Sequence, residues 1–300
     1  MKTIKSRKIF PANKKNISLN VPPSKSYTNR ALICAGLAEG MSVLHNPSSS
    51  DDTEYLIQAL IEFGIQIKKK ETTLFVYGTG GKLHCPNKHI FVGNAGTTLR
   101  FLTTIASLVK GETVIDGDAQ MQQRPIQDLL DALHSAGVHS ESANGFPPIK
   151  IYGGNLFGGE FRMNATVSSQ FLSSLLLCAP YARHPITIKI DGKISSRPYV
   201  NMTIDVMKKF GVSIELPNES VFKITNTQQY QPREYEIEND ASSATYFFAA
   251  AAITQSEITV NNISEFSHQG DIAFLRVLRQ MGCIIKKKKS GITEIGRAHV

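Results

Sequence analysis

Residues 52–67 read DTEYLIQALIEFGIQI, and residues 125–140 (PIQDLLDALHSAGVHS), 199–214 (YVNMTIDVMKKFGVSI) and 271–285 (DIAFLRVLRQMGCII) repeat the pattern. Each segment is an amphipathic run, then a glycine, then a strand-like stretch. The glycines are Gly64, Gly137, Gly211 and Gly282, at intervals of 73, 74 and 71 residues. Each sits where a helix C-cap belongs, because a left-handed residue there costs glycine no steric penalty. Leu56, Leu60 and Phe63, and Ile126, Leu129, Leu130 and Leu133, have the spacing of a helix with one buried face.

A second element alternates with the first. It is a small-polar cluster followed by an almost wholly apolar run: SKSYTNRALICAGLA, NAGTTLRFLTTIASLV, SSQFLSSLLLCAPYA and DASSATYFFAAAAI. Taken from Ser26, Asn94, Ser168 and Asp240, the runs are 68, 74 and 72 residues apart. A helix apolar on nearly every side is expected to be buried. Strand candidates follow at 41–44, 113–115, 186–190 and 258–260. The repeating unit is therefore buried helix, strand, amphipathic helix and hairpin, about 72 residues long, which is α/β architecture. Four units are visible, and the fourth is expected to stop inside its hairpin.

Three hundred residues suit two domains, and 41% hydrophobic with 19% charged residues excludes a disordered chain. No apolar run reaches the roughly 18 residues of a membrane span, and the first eight residues lack the apolar core of a secretory signal. Cys34, Cys85, Cys178 and Cys283 form no CxxC pair, so reduced thiols and a cytoplasmic setting are expected. The net charge of +8 suits an anionic partner without choosing one. Lys68–Lys70 and Lys286–Lys289 read as solvated strand ends.

Helix N-termini present unpaired N–H groups and a partial positive charge, and so bind phosphates and carboxylates. The buried helices open with Ser24-Lys25-Ser26, Asn94-Ala95-Gly96-Thr97, Ser168-Ser169-Gln170 and Ser242-Ser243. Such residues also serve simply as N-caps. Lys25 and Arg30 beside the first cluster, and Arg100 one turn into the second, favour an anion site. Arg124-Pro125 and Arg197-Pro198 take matching places before amphipathic helices. Proline suits the first helical position, so each arginine is expected to be extended and to project from a helix start, able to grip an oxyanion. There is no GxxxxGK[ST], HExxH or GxSxG motif, the eight histidines are scattered, and Gly78–Gly81 precede no apolar helix.

VPPSKSYTNRALICAGLAEG, FVGNAGTTLRFL, QQRPIQDLLDAL, VSSQFLSSLLLCAP, SSRPYVNMTIDVMKKFGV and NDASSATYFFAAAAI, in this order over residues 21–253, resemble the 5-enolpyruvylshikimate-3-phosphate synthase family. The resemblance implies the enolpyruvyl transferase fold, two domains of repeated βαβαββ units with the active site in the cleft between them. On it, residues 21–234 form one complete domain, and 1–20 with 235–294 a second, incomplete one. It implies transfer of the enolpyruvyl group of phosphoenolpyruvate to the 5-hydroxyl of shikimate 3-phosphate, with release of phosphate, on the route to chorismate and the aromatic amino acids. Lys25, the catalytic candidate, would contact both substrates, as would Gln170. Ser26, Arg30, Ser168, Ser169, Ser196 and Tyr199 would hold shikimate 3-phosphate. Gly96 and Arg124 would bind phosphoenolpyruvate, with Asn94 and Thr97 shaping that loop. Glyphosate would compete at the same loop, which Gly96 leaves uncluttered. The resemblance implies no metal or organic cofactor. Neither nucleic acid nor a membrane is an expected partner, and a monomer is expected.

The family continues beyond the residues matched here, through two further units that carry an Asp acid/base and further Lys and Arg contacts. This chain is therefore expected to bind ligand without turning it over. UDP-N-acetylglucosamine enolpyruvyl transferase shares the fold but fits SKSxxNR poorly. An RNA-binding protein would explain the charge, yet there is no tryptophan and no RNP-like run. Glu294 to Val300 is what GAG ATC GGA AGA GCA CAC GTC encodes, which reads as a sequencing-adapter end. Residues 295–300 are expected to be of that origin, with the gene continuing differently after Glu294.

Overall fold

The computed structural model describes residues 16–288 and 291–296. In chain order come β1 (Asn16–Leu19), α1 (Lys25–Leu37), β2 (Glu39–His45), α2 (Asp51–Glu62), β3 (Gln66–Lys70) and β4 (Thr73–Thr79). A second run holds β5 (Ile90–Phe91), α3 (Gly96–Leu108), β6 (Gly111–Asp116), α4 (Gln127–Ser135), β7 (His139–Ala143) and β8 (Phe146–Gly153). The third holds β9 (Gly159–Asn164), α5 (Ser169–Cys178), β10 (Ile186–Asp191), α6 (Arg197–Lys209), β11 (Glu215–Asn218) and β12 (Val221–Ile224). Then follow β13 (Glu234–Glu236), α7 (Ala241–Thr254), β14 (Glu257–Asn261), α8 (Phe274–Gln280), β15 (Ile284–Lys288) and β16 (Gly291–Ile295).

The four sheets share one order: β13-β2-β4-β3, β5-β6-β8-β7, β9-β10-β12-β11 and β1-β14-β16-β15. In each, the first two strands are parallel and the others antiparallel. Two units take their first strand from elsewhere in the chain. β13 closes the sheet begun by β2, and β1 pairs with β14. The fold is α/β with repeated β-α-β-α-β-β units, as the glycine spacing and the resemblance lead one to expect.

All four repeat glycines have positive φ, between 87° and 94°. Each donates its N–H to the carbonyl three residues back, and the next residue donates five back, as in Gly64 N to Ile61 O (2.9 Å) and Ile65 N to Leu60 O (3.0 Å). This Schellman pairing satisfies carbonyls that would otherwise be orphaned at the helix end, and turns the chain into the following strand.

Contacts divide the described chain into residues 23–238 and residues 16–22 with 239–296. In the larger unit α1 to α6 enclose one apolar core, and α1, α3 and α5 are buried around almost their whole circumference. The smaller unit has its own core around Val21, Phe248, Ile258, Val260, Leu275 and Ile292.

Several expectations are corrected. The fourth hairpin does not stop part-way: β16 pairs with both β14 and β15, and Gly296 N donates to Ser256 O. Of the segment 295–300, only Ile295 and Gly296 lie among the described residues, and so does only Asn16–Leu19 of the first strand. α7 is not buried all round, because Tyr246 is 78% and Ile253 80% exposed. The lysine runs do lie at strand ends, as expected: Lys68–Lys70 close edge strand β3 and Lys286–Lys288 close edge strand β15, with Lys289 outside the described residues. Charged side chains on an edge oppose pairing with another chain. Among the described residues no helix is long and apolar enough to cross a membrane, and no cluster could hold a metal ion.

Candidate functional site

The small-polar clusters open helices, each in its own way. Ser24 caps α1, accepting from Tyr27 N, so Lys25 and Ser26 are already helical. Ser168 caps α5 by accepting from Gln170 N at 3.2 Å. Asp240 caps α7 through Ser243 N at 2.8 Å. α3 differs: its cap is Ala95, with no side-chain bond. Asn94 instead donates to Gln120 Oε1 at 2.5 Å, and its own Oδ1 is buried without a partner.

Side chains at these helix starts link into a ring within residues 23–238. Lys25 Nζ lies 2.8 Å from Asp52 Oδ2, joining α1 to α2. The Asp52 carbonyl accepts from Thr98 Oγ1 on α3 at 2.9 Å. Gln170 Nε2 on α5 donates to Thr97 Oγ1 on α3 at 3.2 Å. Ser173 on α5 is 2.9 Å from Thr203 Oγ1 on α6. Thr203 in turn accepts from Arg30 Nε on α1 at 2.7 Å, which closes the ring.

Arg30 is 1% exposed, and burial holds its pKa down to about 10, so it stays charged at neutral pH. Its other hydrogen bonds go to carbonyls, Nη1 to Ser26 O (2.9 Å) and Nη2 to Tyr199 O (3.1 Å). The rings of Phe101 and Tyr199 lie 5.4 and 6.0 Å from the guanidinium carbon. Arg100, 7% exposed, donates to Gly96 O (2.9 Å) and Pro125 O (3.3 Å), and its Nε has no partner. Burial first, and then repulsion from Arg124, lower it to about 10. A Cβ built on Gly96 would stand 2.7 Å from Arg124 Nη1 and 2.8 Å from Arg100 Nη1. Among the described residues, none of these three guanidiniums is paired with a carboxylate.

Lys25, Ser26, Arg30, Gly96, Thr97, Ser168, Ser169, Gln170 and Tyr199 thus sit at four helix starts tied together, with Arg124 against Gly96. Ser196 is the exposed cap of α6 at φ 51°, and its carbonyl accepts from Tyr199 N. The expected equivalence of the two Arg-Pro pairs fails. Arg124 is extended (φ −95°, ψ 120°), but α4 begins only at Gln127, so Pro125 precedes the helix. Arg197 is instead the first residue of α6, with Pro198 second, and it does not project as an anion grip. It donates to Asn201 Oδ1 (3.2 Å) and Glu219 O (2.5 Å), over the Phe222 ring.

Asp52, Ser173 and Thr203 are absent from the sequence-based set, and Arg100 enters it only as a neighbour. One signal was available. Ser173 and Thr203 are small polar residues within apolar stripes, and both are 0% exposed. Chemically, the arrangement offers helix N–H groups and uncompensated guanidiniums in one place, which suits a ligand with several anionic groups.

The family profile described as EPSP synthase (3-phosphoshikimate 1-carboxyvinyltransferase) matches residues 11–299. A 3-phosphoshikimate 1-carboxyvinyltransferase of Trichormus variabilis is 42% identical over 283 residues, which are 93% of this chain and 66% of the relative. One from a Nostoc species is 43% identical over 270 residues, covering 89% of this chain and 64% of its own length. This chain therefore spans slightly less than two thirds of these curated relatives. The solved structure of an EPSP synthase from Acinetobacter baumannii has the same fold, with a TM-score of 0.85 at 23% identity over 97% of this chain and 66% of that one.

Proposed function

This chain belongs to the EPSP synthase family, and from that membership we propose that residues 23–238 bind shikimate 3-phosphate and phosphoenolpyruvate for enolpyruvyl transfer in the shikimate pathway. The observation that carries the reading is the group of buried or half-buried guanidiniums, Arg30, Arg100 and Arg124, beside linked helix starts and, among the described residues, paired with no carboxylate. A buried charge without a counter-ion is expensive, and an anionic ligand supplies the missing partner.

In the reaction, protonation of phosphoenolpyruvate at C3 makes C2 electrophilic. The 5-hydroxyl of shikimate 3-phosphate adds there and loses its proton, giving a tetrahedral ketal phosphate. Loss of a proton from the new methyl group and departure of phosphate restore the vinyl double bond. Lys25 and Gln170 touch both substrates. Ser26, Arg30, Ser168, Ser169, Ser196 and Tyr199 hold shikimate 3-phosphate. Arg124 grips the phosphate of phosphoenolpyruvate, with Gly96, Asn94 and Thr97 forming its loop and Arg100 buttressing it. These cations stabilise the charge of the intermediate and of the departing phosphate. Glyphosate competes at this second subsite.

The 300 residues bind without turnover. Among the linked helix starts, the first turn of α2 carries Asp51, Asp52 and Glu54, and Asp52 is paired with Lys25. Calorimetry should show shikimate 3-phosphate binding that weakens as salt is raised, because charge pairs are screened. No heat at millimolar ligand would remove the site, and phosphate release from both substrates would overturn the absence of turnover.

A further inference from the structure

Arg30 reaches three acceptors, and two of them are backbone carbonyls that no side-chain substitution removes: Ser26 O and Tyr199 O. The third is the hydroxyl of Thr203, 2.7 Å from Nε. Nε is the root of the guanidinium, so a bond there fixes the rotation of the whole plane. Thr203 is 0% exposed and lies where three helices meet. Its single proton goes to Tyr199 O or to Ser173 Oγ, each 2.9 Å away, while a lone pair receives Arg30. The three bonds use three of the five N–H donors of a guanidinium, leaving one on each terminal nitrogen. Where that remaining pair points is decided by the orientation of the plane.

We infer that Thr203 is a positioning residue that sets the plane of Arg30, so that its two remaining N–H groups face the bound anion as a fork. The inference rests on Arg30 being a ligand of shikimate 3-phosphate, and it adds a residue that does not itself touch the substrate. Bidentate recognition depends on this geometry, since the fork gains its second bond only when both donors align.

Two variants and two readouts test it on the 300-residue chain. Thr203→Val keeps the branched shape and removes the hydroxyl, and Thr203→Ser keeps the hydroxyl and removes the methyl group. Thr203→Val should weaken shikimate 3-phosphate binding about 10- to 100-fold in calorimetry, the range for losing a hydrogen bond to a charged group. Thr203→Ser should stay within about threefold of the unsubstituted chain, comparable to the scatter of one hydrogen bond. Nitrogen-15 NMR of the ligand-free chain gives the second readout. The Arg30 Nε–H should be protected from exchange in the unsubstituted chain and in Thr203→Ser, and unprotected in Thr203→Val. A merely structural role would lower the melting temperature without this pattern of rescue. Should Thr203→Val fail to fold, Thr203→Ala takes its place, which also removes the hydroxyl that Arg30 Nε meets, with the same losses of affinity and protection expected. Unchanged affinity or a protected Nε–H in the folded variant would overturn the inference. If the unsubstituted chain binds no shikimate 3-phosphate, the functional reading fails, while the NMR arm still decides whether Thr203 orients Arg30.

Discussion

Gly96 shows how much of the candidate site is decided by a missing atom. It is the first residue of α3, and a methyl group there would meet the Nη1 atoms of Arg124 and Arg100 at 2.7 and 2.8 Å. Both guanidiniums must therefore shift, and Arg100, anchored by Gly96 O and Pro125 O, has less freedom to do so than the half-buried Arg124. Alanine is the better helix former, so Gly96→Ala should hold or raise the melting temperature. Glyphosate binding in the presence of shikimate 3-phosphate should fall by about tenfold, from loss of a charge-assisted contact. Unchanged affinity in calorimetry would mean that the two guanidiniums give way freely. The Ser, Asn and Gly clusters and the nearby cations were legible in the sequence because caps and helix-start anion sites use local residues. Asp52 and Thr203 were not, because their partners Lys25 and Arg30 stand 27 and 173 residues away.

At the scale of the element, the glycine-capped helices could be read in advance because a Schellman turn is written within six neighbouring residues. The sheet-closing strands could not. β13 is three residues long, and only its pairing with β2 far upstream makes it a strand. α7 departs from its all-apolar pattern for a related reason: composition gives its affinity for a core but not whether a neighbour covers each face. Strand β16 carries a different tension. Glu294 lies opposite Ile258 and Ile285 and is 0% exposed, with the Cys283 thiol only partly offsetting the cost of burying its charge. Burial pushes its pKa up from an ordinary 4.5 to about 7. Across that window the folded chain holds a proton that the unfolded chain has lost. Stability of the smaller unit should therefore fall as pH rises from about 4.5 to 7 and stay low above it. Glu294→Gln should flatten the slope in melts at pH 5 and 8 (a titrating group lost), and an unaltered slope would place the titration elsewhere.

For the whole molecule, the chain enters the larger unit at Pro23 and leaves it at Glu238, and Ser24 N donates to Glu238 O at 2.9 Å. Adjacent ends are what a segment that can be excised requires. The apolar cluster of this unit draws only on residues between Tyr27 and Ile237, and the cluster around Phe248 shares none of them. Within the larger unit β13 fills the place of a first strand, so all three of its sheets have four strands and no sheet depends on the other unit for one. Every residue assigned to the candidate site, from Lys25 to Thr203, also lies inside it. Residues 23–238 expressed alone should therefore melt in one cooperative transition and bind shikimate 3-phosphate within about threefold of the 300-residue chain, the scatter of a single hydrogen bond. Circular dichroism on heating and calorimetry check the two parts separately. A broad melt would show that the larger core relies on the smaller unit. A sharp melt with lost affinity would move part of the binding energy onto residues outside 23–238, and would make the ring of helix starts a scaffold for the ligand and not its whole site.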